Sequence, residues 1–147
     1  MVFASFTRLR VRAWYYLPAF LVHADRSGRQ AQRASGYLTG ALSADFARRT
    51  FWTVTLWSNE AAMRAYRIAD PHKSVMRRIK WCDEAAVAHT EQATEQLPGG
   101  DDVLQFMREQ ERAVNVPYPS PEHASGLTVP DGRPPRFARP LPPITGA

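Results

Sequence analysis

Thr50–Trp57, with the sequence TFWTVTLW, constrains the fold more than any other stretch of the chain. It reads as a strand with Trp52, Val54 and Leu56 on one face and Phe51, Thr53, Thr55 and Trp57 on the other. Both faces carry bulky apolar groups, so both need cover. In a chain of 147 residues, helices are expected to cover one side. A partner subunit or a bound ligand is the expected cover for the other.

The length fits one domain with a real core. No window approaches the roughly 18 consecutive apolar residues of a membrane span, so no membrane partner is expected. The first residues, MVFASFTRLRVR, place arginines where a signal peptide would be apolar, which makes the cytoplasm the expected location. The only cysteine, Cys82, precedes Asp83 and Glu84 near a helix end. That setting suits a packing residue better than a reactive thiolate. The net charge of +5 comes almost wholly from arginines scattered over several elements. No nucleic-acid-reading motif accompanies them, so a basic surface is expected and a nucleic-acid partner is not.

Phe3–Arg12 alternates as a first strand. Pro18 opens a helix whose apolar stripe is Leu17, Phe20, Leu21, Ala24, Gly28 and Ala31, and Gly36 ends it. Tyr37–Ala44 forms a hairpin with Thr50–Trp57. Ser58 is the expected cap of a helix through Ala61–Ile68, and Asp70-Pro71 breaks it before a second piece from His72 to about Trp81. Glu84–Thr90 is a fourth strand. Asp101 or Asp102 caps a last helix whose apolar side is Val103, Leu104, Phe106 and Met107. Nine of the twelve prolines lie in Pro117–Pro143. The chain therefore divides into a domain over 1–115 and a Pro-rich, extended or disordered tail over 116–147. The tail could drape over the domain or a neighbour, and PPRFARPLPP could dock in an aromatic groove.

The order of elements is βαββαβ, the ferredoxin-like α+β unit with a four-stranded antiparallel sheet and helices on one face. The other face calls for a partner, and a two-fold homodimer that packs two sheets together would supply it. FTRLRVR at Phe6–Arg12, FWTVTLW at Phe51–Trp57, MRAYRIADPHKSVM at Met63–Met76 and WCDEA at Trp81–Ala85 resemble the dimeric α+β barrel superfamily. That group contains antibiotic biosynthesis monooxygenases and haem-degrading enzymes. Within it, the chain resembles bacterial proteins of the domain-of-unknown-function 3291 group. The resemblance covers about residues 3–95.

Strand parity sets Leu9, Val11, Trp52, Val54 and Leu56 toward the helices. Arg8, Arg10, Phe51, Thr53, Thr55 and Trp57 then face the barrel interior as a substrate-binding lining, with Met76 beside them. Arg8 or Arg10 would hold an anionic group, or else pair with Asp45, Glu84 or a partner's carboxylate. His72 shares a helix face with Val75, Met76 and Ile79, so it points inward as a general base or a structural residue. His89 and Glu91 share a strand face and form a surface pair in this reading; His23 is exposed and His123 lies in the tail. No pair of histidines has metal-ligand spacing, so no dedicated metal site is expected.

The resemblance implies a monooxygenase-like protein that binds a hydrophobic, aromatic small molecule, with no cofactor or with haem. In the cofactor-free case His72 is the base, Arg8 or Arg10 the oxyanion clamp, and Phe51 with Trp57 the stacking wall. In the haem case His72 is the iron ligand, although haem-degrading relatives also use an asparagine on strand 1. The asparagines here are Asn59 and Asn115. A dimer whose barrel is filled by its own side chains, a non-catalytic binding or structural module, is the remaining alternative.

Overall fold

The computed structural model describes residues 1–69, 79–110 and 112–144. The elements are β1 (Val2–Val11), a 3-10 turn (Trp14–Tyr16), α1 (Leu17–Arg33), β2 (Tyr37–Asp45), β3 (Thr50–Trp57), α2 (Glu60–Ala69), β4 (Cys82–Gln92), α3 (Gly100–Gln110), α4 (Pro121–Ala124) and β5 (Arg139–Pro140). Residues 79–81, just before β4, are helical. The sheet is antiparallel in the order β4-β1-β3-β2-β5. Its first four strands are the expected ferredoxin-like arrangement. The fifth is a two-residue strand contributed by the proline-rich tail.

Register decides which residues share a face. Phe3 pairs with Trp57, Leu9 with Phe51, and Arg8 with Trp52. Residues directly opposite point to the same side. Phe51, Thr53, Thr55 and Trp57 therefore share the Leu9 face, which is the one beneath α1 and α2. Trp57 packs with Phe3, Ala31, Tyr37 and Met63, and Phe51 packs with Val11, Phe20 and Cys82. This corrects the parity reading: Phe51 and Trp57 lie under the chain's own helices, while Trp52, Val54 and Leu56 share the helix-free face with Arg8. Strand 3 is apolar on both faces, so its alternation could not choose between them; its pairing with strand 1 does.

The helix-free face is also covered from within the chain. Ala4, Phe6, Trp52, Val54, Leu56 and Ala88 form one cluster with Val103 and Met107 of α3 and Val129 of the tail. The sheet thus has apolar layers on both sides.

Local details differ from the pattern reading. Asn59 Oδ1, not Ser58, accepts the Ala62 amide at 2.8 Å at the start of α2. The Ser58 amide is instead given to the Gly36 carbonyl at 2.8 Å. Gly36 has φ +84, and a Cβ there would meet Ala62 Cβ at 2.5 Å. Both the left-handed backbone and the close helix demand glycine. α3 starts at Gly100, which puts Asp101 and Asp102 inside its first turn, where carboxylates favour the positive helix end. In α1 the buried position is Ser27 rather than Gly28. No described helix is long and apolar enough to cross a membrane.

Candidate functional site

Among the described residues, two neighbourhoods gather chemistry-bearing side chains, one on each face. On the helix side, β1, β3 and β4 set a polar strip between the two aromatic clusters. Ser5 lies between Thr55 and His89, and Thr7 lies between Thr53 and Val87. All six are half-buried. Trp57, fully buried, closes one end; its indole N–H donates to Thr55 Oγ1 at 3.0 Å and its ring stacks on Tyr66 at 5.2 Å. Phe51 closes the other end against Phe20 at 5.0 Å. A strip of hydroxyls with aromatic walls at both ends suits a flat molecule that carries polar substituents.

Among the described residues, His89 is the titratable group of this strip. Burial pushes its pKa down, and Arg67 of α2 and Arg112 push it further, against a smaller opposing pull from Glu60. A charged imidazole is disfavoured there, so at neutral pH His89 has a lone pair to offer a proton. Its ring sits 5.5 Å from Phe3. Reading His89 as a surface partner of Glu91 missed this. The signal was there: a strand-4 histidine that aligns with a strand-1 serine once β1 and β4 pair.

A groove of about 590 Å³ lies between α1 and α2, lined by Arg26, Arg29, Arg33, Ala62 and Tyr66 among others. Tyr66 joins it to the strip, since the same ring stacks on Trp57 and its hydroxyl donates to the Ser27 carbonyl at 3.0 Å. Arg26 and Arg33 of this lining, with Arg29 paired to Asp25 at 3.1 Å, would draw in an anionic molecule.

On the helix-free face, Arg8 is 1% exposed and its charge is met inside the chain. It donates to Glu84 Oε1 at 2.8 Å and stands 3.4 Å from Asp131. Arg10 reaches Glu84 Oε2 at 3.2 Å, and the Ser120 hydroxyl donates to that same oxygen at 3.0 Å. Burial alone would raise the Glu84 pKa, but the hydrogen bond and charge of Arg8, then Ser120 and Arg10, outweigh it and hold the carboxyl below its ordinary range. Glu84 was one of two intrachain partners foreseen for the arginines, beside Asp45. A polar pocket of about 360 Å³ opens beside this network, lined by Arg8, Arg10, Arg49, Glu84 and Asp131 among others.

The expected lining is therefore divided. Phe51, Thr53, Thr55 and Trp57 lie together on the helix side; Arg8 and Arg10 lie across the sheet from them. His72 and Met76, and with them the residues on which a haem reading relies, fall outside the described residues. His123 is buried, its Nε2 2.7 Å from the Val114 carbonyl, which makes it a support for the tail. His23 is half-buried against the Trp81 ring at 5.2 Å. Among the described residues, no group of three or more His, Cys, Asp or Glu side chains is gathered as a metal site.

No family model matches the chain, and no curated protein matches it. Solved structures do. A variant of SnoaB, a cofactor-independent oxygenase from Streptomyces nogalater, superposes with a TM-score of 0.53 at 15% identity, covering 66% of this chain and 97% of its own. An antibiotic biosynthesis monooxygenase superposes at 0.54 with 12% identity over 63% of this chain and 99% of its own. A conserved protein from Methanosarcina mazei superposes at 0.55 with 9% identity over 63% and 94%. At such identities the likeness is one of fold. The chain has the ferredoxin-like α+β fold seen in solved antibiotic biosynthesis monooxygenase-like structures.

Proposed function

We propose that the chain binds a hydrophobic, aromatic small molecule against the helix-side face of its sheet and oxidises it as a monooxygenase-like enzyme. The observation that carries this reading is His89, an imidazole whose neutral form burial favours, paired across the sheet with Ser5, with Thr55 on the strand beyond and aromatic clusters on the same face. A cofactor-independent oxygenase of the same fold supports it further.

In this reading the molecule enters along the groove between α1 and α2 and lies on the strip. Thr53 and Thr55 hold its oxygen substituents, and Phe51 and Trp57 bound its length. His89 takes a proton from an activated ring carbon or hydroxyl. The resulting anion gives its electrons to molecular oxygen. For a ring methylene, one oxygen atom ends as a carbonyl on the substrate, and the other leaves as water with the two hydrogens lost.

The test is oxygen uptake and quinone absorbance with a panel of anthrones and polycyclic phenols in air. The wild-type chain should turn over at least one of them. His89→Ala should lower that rate by about a hundredfold, the low end for loss of a general base. His72→Ala is the companion variant, and a loss confined to it would move the base to His72. Equal rates for wild type and both variants would remove the histidine chemistry.

The second reading is a non-catalytic binding or structural module. It is supported by the helix-free face, which the chain's own side chains fill instead of a ligand. No turnover on the panel, together with a clean mass spectrum and absorption scan of the purified protein, would favour it.

A further inference from the structure

We propose that residues 100–110 and 112–144 are a built-in substitute for a second subunit, so that this chain is a monomer whose self-association surface is masked by its own C-terminal strap. The inference is independent of the ligand on the helix side.

The helix-free face is apolar across four strands: Ala86 and Ala88 on β4, Phe6 on β1, Trp52 and Val54 on β3, and Ala41 on β2 are all buried. Neither α1 nor α2 reaches it. Left open, it would be a large apolar surface of the kind that marks an interface. α3 covers it with Val103 and Met107, supported by Leu104 and Phe106, and the tail adds Val129 and Phe137. Thr128 ties the two layers by donating to the Met107 carbonyl at 3.2 Å.

The same strap closes both sheet edges. Along β4, the Val114 amide donates to the Ala85 carbonyl at 2.8 Å, the Val87 amide to Arg112 at 3.3 Å, and the Ser120 amide to Asp83 at 3.0 Å. Along β2, β5 pairs at Ala41 and Leu42, the Leu141 amide donates to the Gly40 carbonyl at 2.8 Å, and the Tyr37 hydroxyl donates to the Leu141 carbonyl at 2.6 Å. Exposed strand edges and an exposed apolar face are the two routes by which sheets associate. One continuous segment occupies both. Arg8 pins it at the centre through Asp131 on the strap and through Glu84, which accepts from the strap's Ser120. The matching solved structures are covered almost whole, yet about a third of this chain has no counterpart in them. The covered share is close to that of Val2–Gln92, the unit without the strap.

The occupant awaiting the bared face is therefore a second copy of this chain. Light scattering on a sizing column, run over a hundredfold range of concentration, should give the 16.6 kDa of one chain throughout. Val103→Asp and Met107→Asp, made together in the full chain, should loosen α3 and move the mass toward twice that value while the strand signal in circular dichroism persists. A wild-type mass of two chains overturns the proposal, whichever way copies exchange straps. So does a double variant that lets the strap exchange freely with solvent and stays at one chain's mass. Should the double variant unfold, the wild-type mass alone decides.

Discussion

Arg8 and Glu84 are 1% and 2% exposed and hold each other's charge in the interior. Breaking such a pair leaves an uncompensated buried charge and costs roughly 3–5 kcal/mol. With Asp131 still beside Arg8, Glu84→Gln should fall at the low end, about 3 kcal/mol, read by urea unfolding. The pH dependence follows from the same geometry. The Glu84 pKa is lowered in the fold, so its contribution is complete above the unfolded value of about 4.3 and is lost as pH falls through the lower folded value. Asp83 has the opposite sign. Burial raises its pKa against the pull of Arg10, so protonating it on acidification relieves a penalty. His89 acts earlier: its lowered pKa means stability begins to drain as pH falls below about 6.5. Thermal melts between pH 3 and 7 should show two acid steps, the upper removed by His89→Gln and the lower by Glu84→Gln. An acid limb unchanged in Glu84→Gln would contradict the pairing. The sequence allowed Glu84 as a partner of Arg8 because a buried guanidinium requires a carboxylate. It could not show Asp131, which lies 123 positions further along the chain and reaches Arg8 only through the path of the tail.

α3 shows how an element's position depends on what crosses it. Its first residue, Gly100, has no positive φ, and alanine there would ordinarily favour the helix. A Cβ at Gly100, however, would overlap the Pro135 carbonyl of the tail. Gly100→Ala should therefore lower the melting temperature by several degrees rather than raise it, since about 1 kcal/mol corresponds to roughly 2–4 °C in a chain of this size. A higher melting temperature would mean that the tail does not pass there. Among the described residues, the strands and helices before residue 111 were legible to within a few residues, because each alternates or repeats locally, and Thr50–Trp57 was read with the bounds it has; the helix Pro121–Ala124 and the strand Arg139–Pro140 in the tail were not foreseen. The sides of the sheet were not. Leu9 was rightly set toward the helices, but its partner across the sheet is Phe51 rather than Trp52, and no local pattern states that register. The half-buried strip of Ser5, Thr7, Thr53, Thr55 and His89 escaped for the same reason: its members come from three strands and meet only through pairing. Asn59 caps α2 where Ser58 was the expected cap, and the Ser58 amide is donated to the Gly36 carbonyl.

At the scale of the molecule, the account rests on a sheet covered on both faces by one chain. α1 and α2 cover the strip that we assign to a ligand, and α3 with the tail covers the face that a second sheet would otherwise take. The proline-rich tail carries the short helix Pro121–Ala124 and the two-residue strand Arg139–Pro140, and its few apolar residues are placed where the sheet needs them: Val129 and Phe137 on the face, Leu141 at the edge. Prolines suit that task, since an edge-running segment needs few amide donors and loses less chain entropy on ordering. Strap and sheet should consequently open together rather than separately. Amide hydrogen exchange at Val114 and Leu141, the strap residues whose N–H groups bond the two sheet edges, tests this most directly. The account predicts exchange as slow as that of the β1 and β3 amides, governed by global unfolding. Fast exchange at both positions, with β1 and β3 still protected, would contradict it.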